Sequence, residues 1–276
     1  MPIEVHADLR RPSPDEFAAL AYDVMACAFQ VHNEVGRFME EMVYKQLIAR
    51  RFGGVELEVP VLVSWDGFEK HYWLDMLVGG AALFEWKAVE TLAAEHRAQL
   101  LNYLLLCDLP KGKLANLRPE RIEHEFVNTS LRPEDRHRFV IEDSQFNPLD
   151  DADQAWKQFL VAAVRDWGAG LDVNLYDAAT CHVLGGPEKV CQRIDIVVGG
   201  HQVGAQNVRV TPSNAVWKVT ALAEPGLDFE SHLRRFLSHT TLDAVHWVNV
   251  NRRQLLFKTL LPNPSRSAEL DPNHAL

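Results

Sequence analysis

An α/β protein built from two similar lobes is what the sequence predicts. Three observations carry this expectation. Hydrophobic periodicity switches from the helical to the strand period and back in each half, Gly, Pro and Asp fall at the switches, and landmarks of the first half recur in the second at nearly constant spacing.

The elements follow in order. Ser13-Pro14-Asp15-Glu16 pairs a capping serine with proline at the first helical position and glutamate three residues after the cap, so a helix should run to about Asn33. Gly36 breaks it. Met39 to Arg51 then carries Met39, Met42, Val43, Leu47 and Ile48 at helical spacing, ended by Gly53-Gly54. From Val55 the period becomes two, through VELEVPVLVSW, a turn at Asp66-Gly67, HYWLDMLV, a turn at Gly79-Gly80, and ALFEWKAV, which reads as three antiparallel strands. Thr91 is the expected cap of a third helix with Leu92, Leu100, Leu101, Leu104 and Leu105 inward. Two short strands, KLANL and IEHEFV, close the lobe. The expected domains are residues 1–130, a charged and Asn/Pro-containing linker at 131–153, and residues 154–276.

In the second half Gly168, Tyr176, Gly185-Gly186 and Glu188 repeat Gly36, Tyr44, Gly53-Gly54 and Glu56 at an offset of 132. Trp217-Lys218 matches Trp86-Lys87 at 131, while Phe236-Leu237, Leu242 and Asn249 match Tyr103-Leu104, Leu109 and Asn116 at 133. A tandem duplication is the expectation, against two unrelated α/β lobes.

The chain has 276 residues, 47% apolar and 24% charged, as a folded globular protein should. Its net charge of −10 excludes broad, non-specific attraction to nucleic acid, so such binding needs a local basic strip or metal ions. The four cysteines form no CxxC pair and read as reduced thiols. With neither a signal-peptide pattern nor an apolar stretch of ~20 residues, a cytoplasmic protein that does not enter a membrane is expected. The histidines are scattered and form no zinc pattern.

The chemistry concentrates on adjoining strands. Glu85 and Lys87 share one strand face while Trp86 points to the other, and Asp75 lies on the neighbouring strand across the Gly79-Gly80 turn. Two carboxylates beside a lysine repel unless a cation occupies the gap, and hard ions such as Mg²⁺ prefer carboxylate oxygens. Glu41, on the second helix, is a third candidate carboxylate.

With Glu41-Met42-Val43-Tyr44 as ExxY, Asp75, Glu85-Trp86-Lys87 as ExK and Gln99-Leu100-Leu101-Asn102-Tyr103 as QxxxY, residues 17–127 resemble the PD-(D/E)XK nucleases, and within them the bacterial GxxExxY proteins. The first glycine of that name is absent: Phe38 stands three residues before Glu41. The resemblance implies a restriction-endonuclease-like mixed sheet flanked by helices. It implies Asp75, Glu85 and the Trp86 carbonyl as ligands of Mg²⁺ or Mn²⁺, Glu41 ligating directly or through water, and Lys87 positioning the attacking hydroxide. Gln99 and Tyr103 would brace the site or touch a phosphate.

Metal-dependent hydrolysis of nucleic acid is the expected function, with DNA ahead of RNA by family habit alone. A homodimer or a repair or defence complex would be a compatible setting. The alternative is a non-catalytic nucleic-acid-binding or assembly protein on the same frame, and the plain reading is a structural α/β protein. In the second lobe Glu41 aligns with Val173, Glu85 with Val216 and Asp75 with Gln206 or Asn207, leaving no carboxylate ligand. Gln99 becomes His232. There Arg234, Arg235, Arg252 and Arg253 form the best basic strip for nucleic acid, or else a solvated face.

Overall fold

A computed structural model describes residues 2–262 and divides the chain into two compact units, Met1–Asp135 and Arg136–Leu276. Residues 263–276, the end of the expected second domain, lie outside the described residues. No described helix is long and apolar enough to cross a membrane.

The first unit opens with β1 (Ile3–Val5), a short strand with no sequence forecast, which pairs antiparallel with β2 (Val55–Trp65). Helix α1 (Pro14–Val35) starts as its sequence dictates, the Ser13 side chain accepting the Glu16 N–H. It stops at Gly36, whose φ of 73° favours glycine. Helix α2 (Glu41–Phe52) follows, then β2, β3 (Phe68–Val78) and β4 (Ala82–Lys87) as an antiparallel run. Asp66 and Gly67, with φ of 44° and 80°, make the two-residue turn that suits strand twist and fixes the β2/β3 register. Helix α3 (Ala94–Leu106) crosses to β5 (Lys111–Asn116), which lies parallel to β4, and β6 (Glu123–Asn128) completes the sheet order β1-β2-β3-β4-β5-β6. Thr91 is not the cap of α3: the helix begins after Ala93, whose N–H donates to His96 Nδ1 at 3.0 Å. Trp86, Phe84 and Met76 pack in one core with Val24 and Val31 of α1 and Tyr44 and Ile48 of α2.

The short helix α4 (Pro133–Arg136) ends on the first residue of the second unit, which continues with β7 (Val140–Gln145), α5 (Asp151–Trp167), α6 (Val173–Val183), α7 (Pro187–Val190), β8 (Cys191–Val198) and β9 (His201–Arg209). Then come β10 (Ala215–Thr220), α8 (Leu227–Ser238), β11 (Ala244–Val250) and β12 (Gln254–Leu260). One sheet runs β10-β11-β12-β7; β8 and β9 form a hairpin reaching β10 through a Val210–Val216 bridge. The expected linker at 131–153 is corrected here. Its middle is β7, paired parallel with β12, and its last residue, Asp153, is fully buried against His246. The charges that suggested a linker face outward from an edge strand, and an edge strand needs only one partner.

Both units repeat the element order α-α-β-β-β-α-β-β, with α7 added in the second. Strands β4 and β10 begin at 82 and 215, helices α3 and α8 at 94 and 227, strands β5 and β11 at 111 and 244: each pair is 133 apart. The turn at Asp66-Gly67 stands 133 before that at Gly199-Gly200, where φ is again positive at both residues. Buried hydrogen bonds recur too. Tyr44 donates to the Gly36 carbonyl and accepts from the Met39 N–H, as Tyr176 donates to Gly168 and accepts from Leu171. Asn116 bridges the N–H and carbonyl of Val89, as Asn249 does those of Leu222. Since Lys87 pairs with Asn116 and Thr220 with Asn249, the 131 offset for Trp217-Lys218 is corrected to 133. Lys218 therefore stands at the position of Glu85, Thr220 at that of Lys87, and Val208 at that of Asp75.

Candidate metal centre

Asp75 is held where β3 and β4 part. Their ladder ends at Met76 and Phe84, and two residues on, the Trp86 N–H donates instead to Asp75 Oδ2 at 2.8 Å. Trp86 thereby ties the carboxylate with its backbone while its indole lies in the core with α1 and α2. Glu85, on the opposite face, is fully buried; its Oε1 accepts from Lys87 Nζ at 2.6 Å, and its Oε2 has no hydrogen-bond partner. An orphaned carboxylate oxygen in the interior is costly. Burial, and then the Asp75 charge, push the Glu85 carboxyl up to about 8.

Glu41 opens α2 at the mouth of this group, and burial followed by the Asp75 charge raises its carboxyl above the ordinary range. One turn on, Lys45 is almost wholly buried, with Nζ 3.0 Å from Asp75 Oδ1, 3.2 Å from Glu41 Oε1 and bonded to Glu58 as well. Burial alone would lower its pKa, but bonds to Glu58 and Asp75 hold it above the ordinary lysine value. Burial would likewise lower the Lys87 pKa, but the charge of Glu85 and the bond to it hold the ammonium above the ordinary lysine value. Gln99 Nε2 donates to the Tyr103 hydroxyl at 3.0 Å across one turn of α3, and burial pushes that phenol up to about 12.

Among the described residues no three His, Cys, Asp or Glu side chains stand together as a ready-made metal cage. The Lys45 ammonium already holds Asp75 Oδ1. The donor set still suits a hard divalent ion, because the protein leaves a Glu85 oxygen without a hydrogen-bond partner, where a cation could take the place of the proton that burial favours.

Sequence reasoning brought together Asp75, Glu85, Lys87 and Glu41, but missed Lys45 and Glu58. Both had a signal: Lys45 is four residues from Glu41 on one helix face, and the Asp66-Gly67 hairpin puts Glu58 opposite Asp75. Glu58 has φ of 51° inside β2, a strained conformation for a residue with a side chain, placed beside the site. In the second unit Arg234 is committed to Glu230 at 2.8 Å, whereas Arg235, Arg252 and Arg253 are exposed.

Residues 18–128 match the family model of the PD-(D/E)XK nuclease superfamily. The match covers the first unit from α1 to the end of β6 and none of the second. A solved structure, "Crystal structure of SSO0001", shares 21% identity, covering 44% of this chain and 61% of its own, with a TM-score of 0.29, too low to carry an argument. No curated protein matches the chain. Residues 18–128 are thus similar to a superfamily whose members are generally hydrolases that use divalent metals and act on nucleic acid.

Proposed function

We propose that the first unit is a metal-dependent nuclease that hydrolyses phosphodiester bonds, of DNA ahead of RNA, and that the second unit is a decayed copy of it. The observation that carries this is the juxtaposition of Asp75 with the buried, half-unpartnered Glu85 and its bonded Lys87, on the superfamily's frame. Asp75, Glu85 and the Trp86 carbonyl would hold Mg²⁺ or Mn²⁺, with Glu41 at the rim. When bound, the ion would lower the pKa of water and offset charge on the phosphate.

The remaining roles belong to the chain's own side chains. Lys87 is an ammonium donor fixed by Glu85 at the edge of the buried group, suited to orienting the attacking water. Lys45 supplies the positive charge that keeps three carboxylates together before substrate arrives, and once displaced from Asp75 it can turn to the phosphate. Gln99 donates to the Tyr103 hydroxyl, which stays neutral and lies near enough to feel the Glu85 and Asp75 charges. Arg235, Arg252 and Arg253 are among the exposed cations of the second unit and are suited to backbone phosphates, with Arg234 contributing less because of Glu230. A GxxExxY relationship, a homodimer, a repair or defence assembly and a cytoplasmic setting belong to the same proposal. Cleavage of single- and double-stranded DNA and RNA with Mg²⁺ or Mn²⁺ tests it. Inactivity on all four would favour a non-catalytic nucleic-acid-binding protein on this frame.

A further inference from the structure

The second unit holds a cavity of about 500 Å³ at the place where the first unit gathers its carboxylates. Its wall includes Val173, Val208 and Lys218, which stand at the positions of Glu41, Asp75 and Glu85, and Phe236, at that of Tyr103. Charge has been inverted rather than merely lost. Asp177, at the position of Lys45, forms an ion pair with Arg209 and accepts the Trp217 indole N–H at 3.0 Å, so this pair contributes no net charge. Lys218 is left as the exposed cation of the cavity, and it has no ion-pair or hydrogen-bond partner among the described residues.

We propose that this cavity binds a nucleotidyl phosphate without metal, the Lys218 ammonium taking the phosphate and the Val208, Leu233 and Phe236 wall taking the apolar face of the nucleoside. In the first unit carboxylates need a borrowed cation before a phosphate can approach; here the protein supplies the cation itself, which a phosphate oxygen accepts from directly. Gln206 and the remaining N–H groups of Arg209 are further donors on the same wall. The volume falls within the ~300–1,000 Å³ of small-molecule sites. Only the choice of a nucleotide among phosphorylated ligands rests on the nuclease reading of the first unit; the cavity and its cation do not.

Calorimetry on the full chain in EDTA tests this separately from any metal-dependent activity. The probes are dTMP, thymidine and a 5′-phosphorylated oligothymidylate of four residues. Wild type should bind dTMP at least tenfold more tightly than thymidine. Lys218→Met and Val208→Asp should each weaken dTMP at least tenfold, with Lys218→Arg retaining it and melting curves showing that each variant is folded. A tenfold preference for the oligonucleotide over dTMP would identify a strand as the ligand's source, and equal affinity a free mononucleotide. No binding of dTMP or the oligonucleotide by wild type, equal affinity for thymidine and dTMP, or unchanged affinity in folded Lys218→Met would overturn the proposal. Loss of Mn²⁺ binding or cleavage in the first unit would leave it standing.

Discussion

Lys45 Nζ lies 3.0 Å from Asp75 Oδ1, so the cation nearest the central carboxylate is one that helix α2 carries in. The same ammonium reaches Glu41 and Glu58, so one buried cation is shared by three carboxylates. A lysine in this position competes with a divalent ion for Asp75. Lys45→Met should therefore raise Mn²⁺ affinity at least about tenfold, equivalent to roughly 1.4 kcal/mol. The metal-free protein should lose on the order of 3 kcal/mol, since breaking a buried pair strands its partners. Calorimetry and denaturant unfolding in EDTA check both, and weaker Mn²⁺ binding in the variant would show that Lys45 supports the ligands instead of competing with the ion.

Lys87 is bonded to Glu85 but reaches neither Asp75 nor Glu41 by hydrogen bond, so its task is separable from metal binding. Lys87→Ala should retain Mn²⁺ affinity or tighten it, while phosphodiester cleavage falls by roughly 10²–10⁴, the usual worth of a positioned proton-transfer or water-orienting group. Parallel loss of metal and activity would assign Lys87 to holding the carboxylates.

The raised Glu85 carboxyl has a pH consequence. Folded protein keeps its proton up to about 8, against an ordinary 4.5, so the native state binds more protons than the unfolded one between these values. The stability it contributes is fully present below pH 4.5 and is lost as pH rises toward 8. In EDTA, the wild-type melting temperature should fall relative to Glu85→Gln by several degrees from pH 5 to 8.5, 1 kcal/mol being worth roughly 2–4 °C at this chain size. Parallel pH profiles would place the orphaned oxygen in contact with water.

Much of the first unit was legible because local chemistry and global fold agree there. Ser13 caps α1, Asp66-Gly67 sets the hairpin, and alternation in Glu85-Trp86-Lys87 sorts acid and base from core. Strand β1 was too short for periodicity to register. Strand β7 was read as linker because it is an edge strand with polar faces, held by a pairing partner more than a hundred residues away. The Trp217-Lys218 register failed for a related reason: two matching letters outweighed the buried amides of Asn116 and Asn249, whose spacing to their strands is set by hydrogen bonds. Lys45 went unnoticed because a lysine on a helix is ordinarily solvated, and only the carboxylates around it keep this one inside.

Asp153 and His246 form a fully buried pair at 2.9 Å, with Ser213 and the Leu149 N–H also donating to the carboxylate. Burial opposes ionisation, but these bonds, the one from His246 foremost, depress the Asp153 carboxyl to about 2. Its stabilisation is present above pH 3.8 and lost as pH falls through 2. Asp153→Ala should cost about 3–5 kcal/mol at neutral pH, as when one partner of a buried pair is removed. Urea unfolding of the variant checks this, and a loss below 1 kcal/mol would mean that His246 finds another acceptor.

The central claim is that Asp75 and Glu85 together hold a divalent ion. Titration of Mn²⁺ into wild type, Asp75→Asn and Glu85→Gln by calorimetry at pH 8 tests it most directly, since both substitutions keep size and one acceptor oxygen while removing charge. One site per chain is expected in wild type, absent from either variant while both stay folded by melting curve. A wild-type protein that binds no Mn²⁺, or variants that bind it with unchanged affinity, would contradict the account.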